Sequence, residues 1–337
     1  MSLNDLMKTM LPVVEAEMQA VVAGANTPET TELHEMLTYH MGWTGEGSGP
    51  KAQGKRIRPF LVTLTTAAAG GNWQNAVPAA AAVELLHNFS LIHDDIEDNS
   101  DLRRGRPVVW KKWGLAQGIN AGDALFTLSF LAMLRLEATT STETAFEASR
   151  ILQTTCLILT QGQYLDMSFE TREQVTIDEY WTMIGGKTAS LLAACTELGA
   201  LVAGVDDEKR KAYRDFGRGL GLAFQVKDDL LGIWGDAELT GKSAESDLVE
   251  RKKSLPVLYG LGQGGAFAER WAAGPIAPED VPAVAQMLAE DGARAYTQDV
   301  ADQLTSEAIH AMERAKPVGQ AGEALVALAN QLLGRSV

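Results

Sequence analysis

Two aspartate-rich segments stand far apart in this chain: L-I-H-D-D-I-E-D, carrying Asp94, Asp95 and Asp98, and F-Q-V-K-D-D-L-L-G, carrying Asp228 and Asp229. Each lies at the polar end of an apolar helical run. Asp94 and Asp98 are one helical turn apart, so their carboxylates project to the same side. Two such clusters brought together would repel each other unless cations lay between them. Hard divalent cations suit oxygen ligands, and Mg²⁺ above all completes its shell with phosphate oxygens and water. The implied chemistry is the handling of a diphosphate.

The cationic residues sit in islands that fit the same reading. Arg103 and Arg104 follow Asp98 in Asp101-Leu-Arg-Arg-Gly-Arg106, and Gly54-Lys-Arg-Ile-Arg-Pro59 offers Lys55 and Arg58 ahead of a helix that Pro59 helps to start. The planar fork of arginine donates two parallel hydrogen bonds to a phosphate. Two cationic islands imply two anionic groups. On a helical wheel His87, Asp94 and Asp98 fall within about 40° of one another, sharing one groove. Gly185-Gly-Lys-Thr-Ala189 interrupts a helical pattern, and paired glycines allow a kink that aims Lys187 and Thr188 into a cavity. It is not a P-loop, because Trp181 stands where the first glycine belongs and no strand precedes it. In the second acidic helix Gly217, Gly221, Gln225, Asp228 and Gly232 share a face, leaving room for either a packed helix or a ligand. Lys242, Lys252 and Lys253 follow it. His93-Asp94 also suggests a metal phosphohydrolase of the HD type, but His34, His40, His87 and His310 are not spaced to complete such a site.

The elements that must position these groups read as helices. Apolar residues recur at intervals of three and four through 3–22, 60–69, 77–96, 121–136, 145–164, 177–203 and 208–234, and again through 254–261, 278–288 and 296–333. Strand signals are scarce. The expectation is an all-α fold of roughly ten or more helices in one domain spanning 1–337, without repeats. Three Gly-rich stretches, 42–54, 99–118 and 235–253, read as loops at one end of the bundle, and the last two as candidates for a lid. At 337 residues and 46% apolar content the chain can bury a sizeable core, while a net charge of −15 argues against a nucleic-acid-binding surface. Cys156 and Cys195 give neither a disulfide framework nor zinc spacing, as expected of a reducing, cytoplasmic setting. The start of the chain lacks the pattern of a signal peptide, and no unbroken run of about eighteen apolar residues suggests a transmembrane segment.

Taken in order, G-K-R-I-R-P, H-x5-H-D-D-x-x-D, L-R-R-G, G-Q-x-x-D (Gly162, Gln163, Asp166), G-K-T-A, F-Q-x-x-D-D, G-K and K-x-S-L-P resemble the trans-isoprenyl diphosphate synthases over residues 54–256. The resemblance implies an isoprenoid-synthase bundle around a deep central cavity, a homodimer, and condensation of isopentenyl diphosphate with an allylic diphosphate. It implies that Lys55, Arg58, His87 and Arg104 hold isopentenyl diphosphate. Arg103, Lys187, Thr188, Gln225, Lys242 and Lys252 would hold the allylic partner. Asp94, Asp95, Asp98 and Asp228 would bind three Mg²⁺, with Mn²⁺ as a substitute. Thr188 and Gln225 would also face the allylic cation. The family's second motif is usually D-D-x-x-D, whereas here the third acid is Gly232. Asp236 is a candidate to replace it through water, and Gly232→Asp is expected to be tolerated. Phe89, with Ser90 beside it and no insertion between Asp95 and Asp98, most resembles the chain-length residues of geranylgeranyl diphosphate synthases. That implies a twenty-carbon product, with fifteen carbons as the alternative. A class I terpene cyclase or a head-to-head synthase would not need G-K-R-I-R-P. A non-catalytic subunit of a heteromeric synthase should have lost acids from the first motif, and this chain keeps all three.

Overall fold

The computed structural model describes residues 1–235 and 247–334. The chain divides into two compact units. Unit 1 comprises 1–154, 195–210 and 316–325, and unit 2 comprises 155–194, 211–315 and 326–337.

Unit 1 is built on α1 (Leu3–Gly24), α2 (Thr31–His40), the short α3 (Pro50–Gln53), α4 (Ile57–Ala68) and α5 (Val77–Glu97). Pro78 in the first turn of α5 sits where no helical partner for its N–H is needed. Ala79, Ala80, Ala81 and Ala82 are all fully buried, and these small side chains let α1 and α4 lie close against the helix. Region 99–118, expected to be loop, is more ordered than its composition suggests. It holds a minimal antiparallel ribbon, β1 (Leu102–Arg103) with β2 (Arg106–Pro107), then α6 (Val109–Trp113) and the start of α7 (Leu115–Leu134). Arg104 and Gly105 link the strands with φ of 53° and 75°, the left-handed pair that a two-residue hairpin requires. The stretch Leu115–Ala138 is long and apolar enough, by length and composition, to cross a bilayer. In this fold α7 instead lies along α5, burying Ala121, Gly122, Leu125 and Leu128. Gly122 is what allows the approach, because a Cβ there would meet the His93 ring at 2.2 Å.

α8 (Thr142–Thr171) is followed by α9 (Ile177–Ile184), a single π turn (Gly185–Ala189) and α10 (Ser190–Ala203), with 155–194 belonging to unit 2 and 195–203 to unit 1. The kink expected at the paired glycines is therefore a π bulge within a continuous helical path, a feature that often marks functional sites. α11 (Asp207–Trp234) follows, and beyond the segment outside the described residues come α12 (Leu255–Gln263), α13 (Ala266–Ala272), α14 (Val281–Glu290), α15 (Ala293–Ala315) and α16 (Gly319–Leu333). The pattern expected to run unbroken through 296–333 is split at Lys316, Pro317 and Val318, because proline cannot continue a helix. Two apolar clusters hold unit 2. Tyr180, Val226, Leu230 and Leu255 centre one, and Leu248, Val257, Phe267 and Leu288 the other. Among the described residues the fold is all-α apart from the four-residue ribbon, as the periodicity predicts.

Candidate active site

In unit 1 the site grows from the ends of α4 and α5. Arg56 caps α4 with φ of 47°, strained for a residue with a side chain. Its guanidinium is buried and donates to Glu84 Oε1 at 2.8 Å, to the Met41 carbonyl at 3.0 Å and to Glu15 Oε2 at 3.2 Å. That network holds the strained cap and leaves Lys55 exposed and Arg58 half-buried on either side. Arg58 Nη1 lies 3.1 Å from His87 Nε2. Arginine can only donate, so the ring nitrogen accepts and the imidazole is neutral. Desolvation, then Arg58, Arg104 and Arg103, hold the His87 pKa well below the usual histidine range.

The first acidic motif ends α5 in a Schellman turn. Asn99 adopts φ of 50°, the Ser100 N–H donates to the Asp95 carbonyl at 2.9 Å, and the Asn99 N–H donates to that of Ile96 at 3.2 Å. Asparagine tolerates that conformation better than most residues, which is why the helix stops here. Asp94 is half-buried and Asp98 exposed, whereas Asp95 is only 2% exposed. Asp95 Oδ1 accepts from Arg103 Nε at 2.8 Å. Burial lifts the Asp95 pKa, while the arginine opposes the rise. Asp95 thus faces Arg103 and positions it.

The hairpin sorts the neighbouring arginines. Arg104 Nη1 donates to the Ala52 carbonyl at 2.7 Å, and a Cβ on Gly54 would meet its guanidinium carbon at 2.7 Å, so Gly54 is needed to admit that side chain. Arg106 is buried, donates to the carbonyls of Tyr39, Thr44 and Glu46, and stacks on the Tyr39 ring; its work is structural. A small pocket lined by His40, Asp95, Arg103, Arg104 and Arg106 opens here. Further along α5, Phe89 packs against His93 at 5.2 Å and Phe126 at 4.9 Å, and Phe126 against Phe130 at 4.8 Å between ring centroids. Ser90 donates to the His87 carbonyl at 2.8 Å. His93 is used in this packing, which argues against the phosphohydrolase reading.

In unit 2 two glycines bring α8 against the π turn. A Cβ on Gly162 would lie 2.2 Å from the Lys187 nitrogen, and one on Gly186 would lie 2.8 Å from the Ile158 carbonyl oxygen. The backbones touch, and Lys187 Nζ reaches Asp166 Oδ2 at 2.5 Å. Thr188 Oγ1 donates to Gln225 Oε1 at 2.9 Å, and Gln225 Nε2 donates to Asp229 Oδ1 at 3.0 Å. Tyr180 Oη at 2.7 Å and the Leu255 N–H at 3.0 Å both donate to Asp229 Oδ2. Asp229 is 2% exposed and has both oxygens committed; Asp228, one residue earlier, is half-buried. Each acidic pair therefore shows the same division of exposure: the second acid is buried among named partners, and the first is half-buried.

Two glycines on the α11 face, Gly221 and Gly232, have their space filled by neighbouring residues. A Cβ on Gly221 would meet the Ala189 Cα at 2.6 Å, and one on Gly232 would meet Asp247 Oδ2 at 2.5 Å. The second contact revises the expectation that Gly232→Asp is tolerated, because an acid there would be forced onto another carboxylate. Lys252 is half-buried; desolvation opposes its charge, but Asp247, Asp229 and Asp166 together outweigh it and raise its pKa. Lys253 donates to the Phe169 carbonyl, a structural use. Lys242 and Asp236 lie outside the described residues. Sequence reasoning missed Tyr180, Asp247 and Phe126. Tyr180 and Phe126 sit in ordinary apolar periodicity, and Asp247 in polar loop sequence, so none carried a signal of its own.

Unit 1 presents the half-buried Asp94 with anchored arginines, and unit 2 the half-buried Asp228 with an anchored lysine, donor types of the kind that handle diphosphates. The sequence pattern of the polyprenyl synthetase family matches residues 49–285, and the chain belongs to that family. It is an isoprenyl diphosphate synthase, a head-to-tail prenyltransferase. A geranylgeranyl diphosphate synthase of Mycobacterium tuberculosis is 40% identical over 315 residues, covering 91% of this chain and 89% of that protein. A (2E,6E)-farnesyl diphosphate synthase of the same organism is 39% identical, covering 84% and 80% respectively. The crystal structure of a polyprenyl synthetase from Streptomyces coelicolor A3(2) superposes with a TM-score of 0.86 at 36% identity, over 98% of this chain and 99% of that one.

Proposed function

We propose that the chain, acting as a single catalytic domain, condenses isopentenyl diphosphate with allylic diphosphates to give geranylgeranyl diphosphate. The observation that supports the chain length is the aromatic row Phe89, Phe126 and Phe130, whose first member lies five residues before Asp94 on α5. Farnesyl diphosphate is the second reading, favoured by the near-equal identity to the mycobacterial farnesyl synthase. Product chromatography after dephosphorylation decides between twenty and fifteen carbons. Phe89→Ala is expected to lengthen the products; an unchanged length in a folded, active variant would place the floor elsewhere.

Lys55, Arg58, His87 and Arg104 are assigned to isopentenyl diphosphate. Arg103, Lys187, Thr188, Gln225, Lys252 and Lys242 are assigned to the allylic diphosphate, and Asp94, Asp98 and Asp228 to Mg²⁺. Asp95 is reassigned from metal ligand to positioning of Arg103. The donor set fits Mg²⁺: all of these are carboxylates, the hard oxygen ligands that ion takes. Mg²⁺ is commonly held by one or two carboxylates and completed by substrate phosphates. Bound Mg²⁺ would neutralise the departing diphosphate as a Lewis acid.

The remaining steps belong to the chain. Arg58 and His87 fix isopentenyl diphosphate so that its double bond can attack C1 of the allylic chain as the C–O bond to diphosphate breaks. The hydroxyl of Thr188 and the amide of Gln225, locked together, present polar oxygens to the developing cation without a free nucleophile. Loss of a proton from C2 of the attacking unit, accepted by the released diphosphate, restores the double bond. Homodimerisation is supported by Leu115, Ile119, Leu131 and Leu134, apolar yet exposed on α7. A reducing, cytoplasmic setting is supported by Cys156 and Cys195, buried thiols whose pKa values burial raises to about 11 and about 12.

A further inference from the structure

We propose that His93 is a positioning residue for product length: gripped by α7, it fixes the ring of Phe89. The inference rests on the reading above that Phe89 limits chain growth, and adds what limits Phe89. In a helix a side chain keeps two open χ1 rotamers and leans over the turn that precedes its own Cα. His93 follows Phe89 by four residues, so its ring lies over that residue. Their centroids are 5.2 Å apart with the planes at 79°, an edge-on contact that favours one Phe89 rotamer over the other. Phe126 of α7 meets the same Phe89 ring at 4.9 Å from its other neighbour, so the ring is held between two aromatic partners.

His93 owes its own placement to α7. An ideal Cβ on Gly122 would strike Nε2 and Cδ2 of the imidazole, so the ring occupies the space where a side chain at 122 would begin. Nε2 lies 3.3 Å from the Ile119 carbonyl oxygen, and because a carbonyl only accepts, Nε2 carries the proton and donates. Asp123 Oδ1 stands 3.8 Å from the same nitrogen. Three consecutive features of α7 (a carbonyl, a bare Cα and a carboxylate) thus converge on one edge of the ring. The chain of support runs from α7 to His93 and from His93 to Phe89. A purely structural His93 would join α5 to α7 and affect stability alone. Its side chain is 27% exposed, so substituting it does not hollow out the core.

The two roles separate in the product distribution of the full chain, made from isopentenyl and geranyl diphosphates, dephosphorylated and resolved by length. Tm is read alongside. His93→Ala is expected to raise the ratio of longer products to the parent's main product by about two- to tenfold, the factor that one edge-on ring contact corresponds to. Gly122→Ala should give a similar shift, because its methyl displaces the imidazole while leaving α5 unchanged. Combined, the two substitutions should shift the ratio no further than His93→Ala alone, since the methyl then meets no ring. Additive shifts would show two independent effects and overturn the grip of α7 on His93. Phe89→Ala serves as the reference. If it leaves product length unchanged, the reading of Phe89 fails and the role of His93 falls with it. If Phe89→Ala lengthens the products while His93→Ala and Gly122→Ala keep the parental distribution, whatever their Tm, only the role of His93 is overturned. Should His93→Ala not fold, His93→Asn retains a donor for the Ile119 carbonyl but offers Phe89 no ring. Longer products then support the proposal, and a parental distribution overturns it.

Discussion

The two aspartate pairs divide their work residue by residue. Asp94 and Asp228 are the members left half-buried, so Asp94→Ala and Asp228→Ala should each lower kcat by a hundredfold or more with little change in Tm, as for loss of an electrostatic catalytic group. Asp229→Asn should behave differently, because it exchanges an acceptor for Tyr180 and the Leu255 N–H for an amide; Tm should fall alongside activity. Thermal denaturation beside steady-state kinetics separates the two, and a stable but inactive Asp229→Asn would contradict the anchor role. The cationic residues divide by substrate: Arg58→Ala should chiefly raise KM for isopentenyl diphosphate, and Lys187→Ala that for the allylic partner. Equal shifts in both constants for both variants would refute the assignment. The clustering of acids and arginines at the ends of α5 and α11 was legible in the sequence, because acids one turn apart and successive arginines are visible as a pattern. The inward turn of Asp95, Asp229 and Arg106 was not. Orientation within an adjacent pair depends on which tertiary partner lies behind it, and Arg103, Tyr180 and Tyr39 are 8, 49 and 67 residues away from those they hold.

At the scale of elements, placement depends on small residues. Gly162 and Gly186 let α8 touch the π turn, and that contact sets the reach from Lys187 to Asp166. Gly162→Ala inserts a methyl 2.2 Å from a backbone nitrogen. Overpacking of that kind costs about 1–3 kcal/mol, and displacement of Lys187 should raise KM for the allylic substrate as well. Denaturant midpoints and initial rates check both; parental values in each would mean that the backbones can part freely. Helical periodicity showed nearly every long helix in advance. It missed α2, α3, α6 and α13, which are too short to show a period, and it could not show the hairpin, whose cue is one Arg-Gly pair rather than a period. The π turn was foreseen only as a kink, since two glycines permit several distortions and the packing against Gly162 selects one.

Across the molecule, pH should act through histidines held neutral. Desolvation, then Arg103, Arg104 and Arg56, lower the His40 pKa to about 3. Its unfolded value is about 6.5. The folded chain therefore binds fewer protons than the unfolded chain between those values. Stability is fully present above pH 6.5 and declines as pH falls toward 3, at up to about 1.4 kcal/mol per pH unit for this group. Tm measured at pH 7.5 and 5.5 should drop less in His40→Gln than in the parent, and an equal drop would assign the acid sensitivity to other groups. On assembly, Leu131→Lys with Leu134→Lys should yield monomers by sedimentation if the exposed face of α7 is the dimer contact. The division into units has a further consequence, for the order of events during synthesis. Unit 1 begins with residue 1 but is completed only by 316–325, where the Val318 N–H donates to the Ala68 carbonyl at 2.7 Å. At about 5–20 residues per second, the wait between emergence of the first part and the last is roughly 10–30 s. Through that interval the Ala68 carbonyl at the end of α4 awaits its partner and unit 1 stays incomplete, which makes the nascent chain, rather than the finished enzyme, the form most in need of a chaperone.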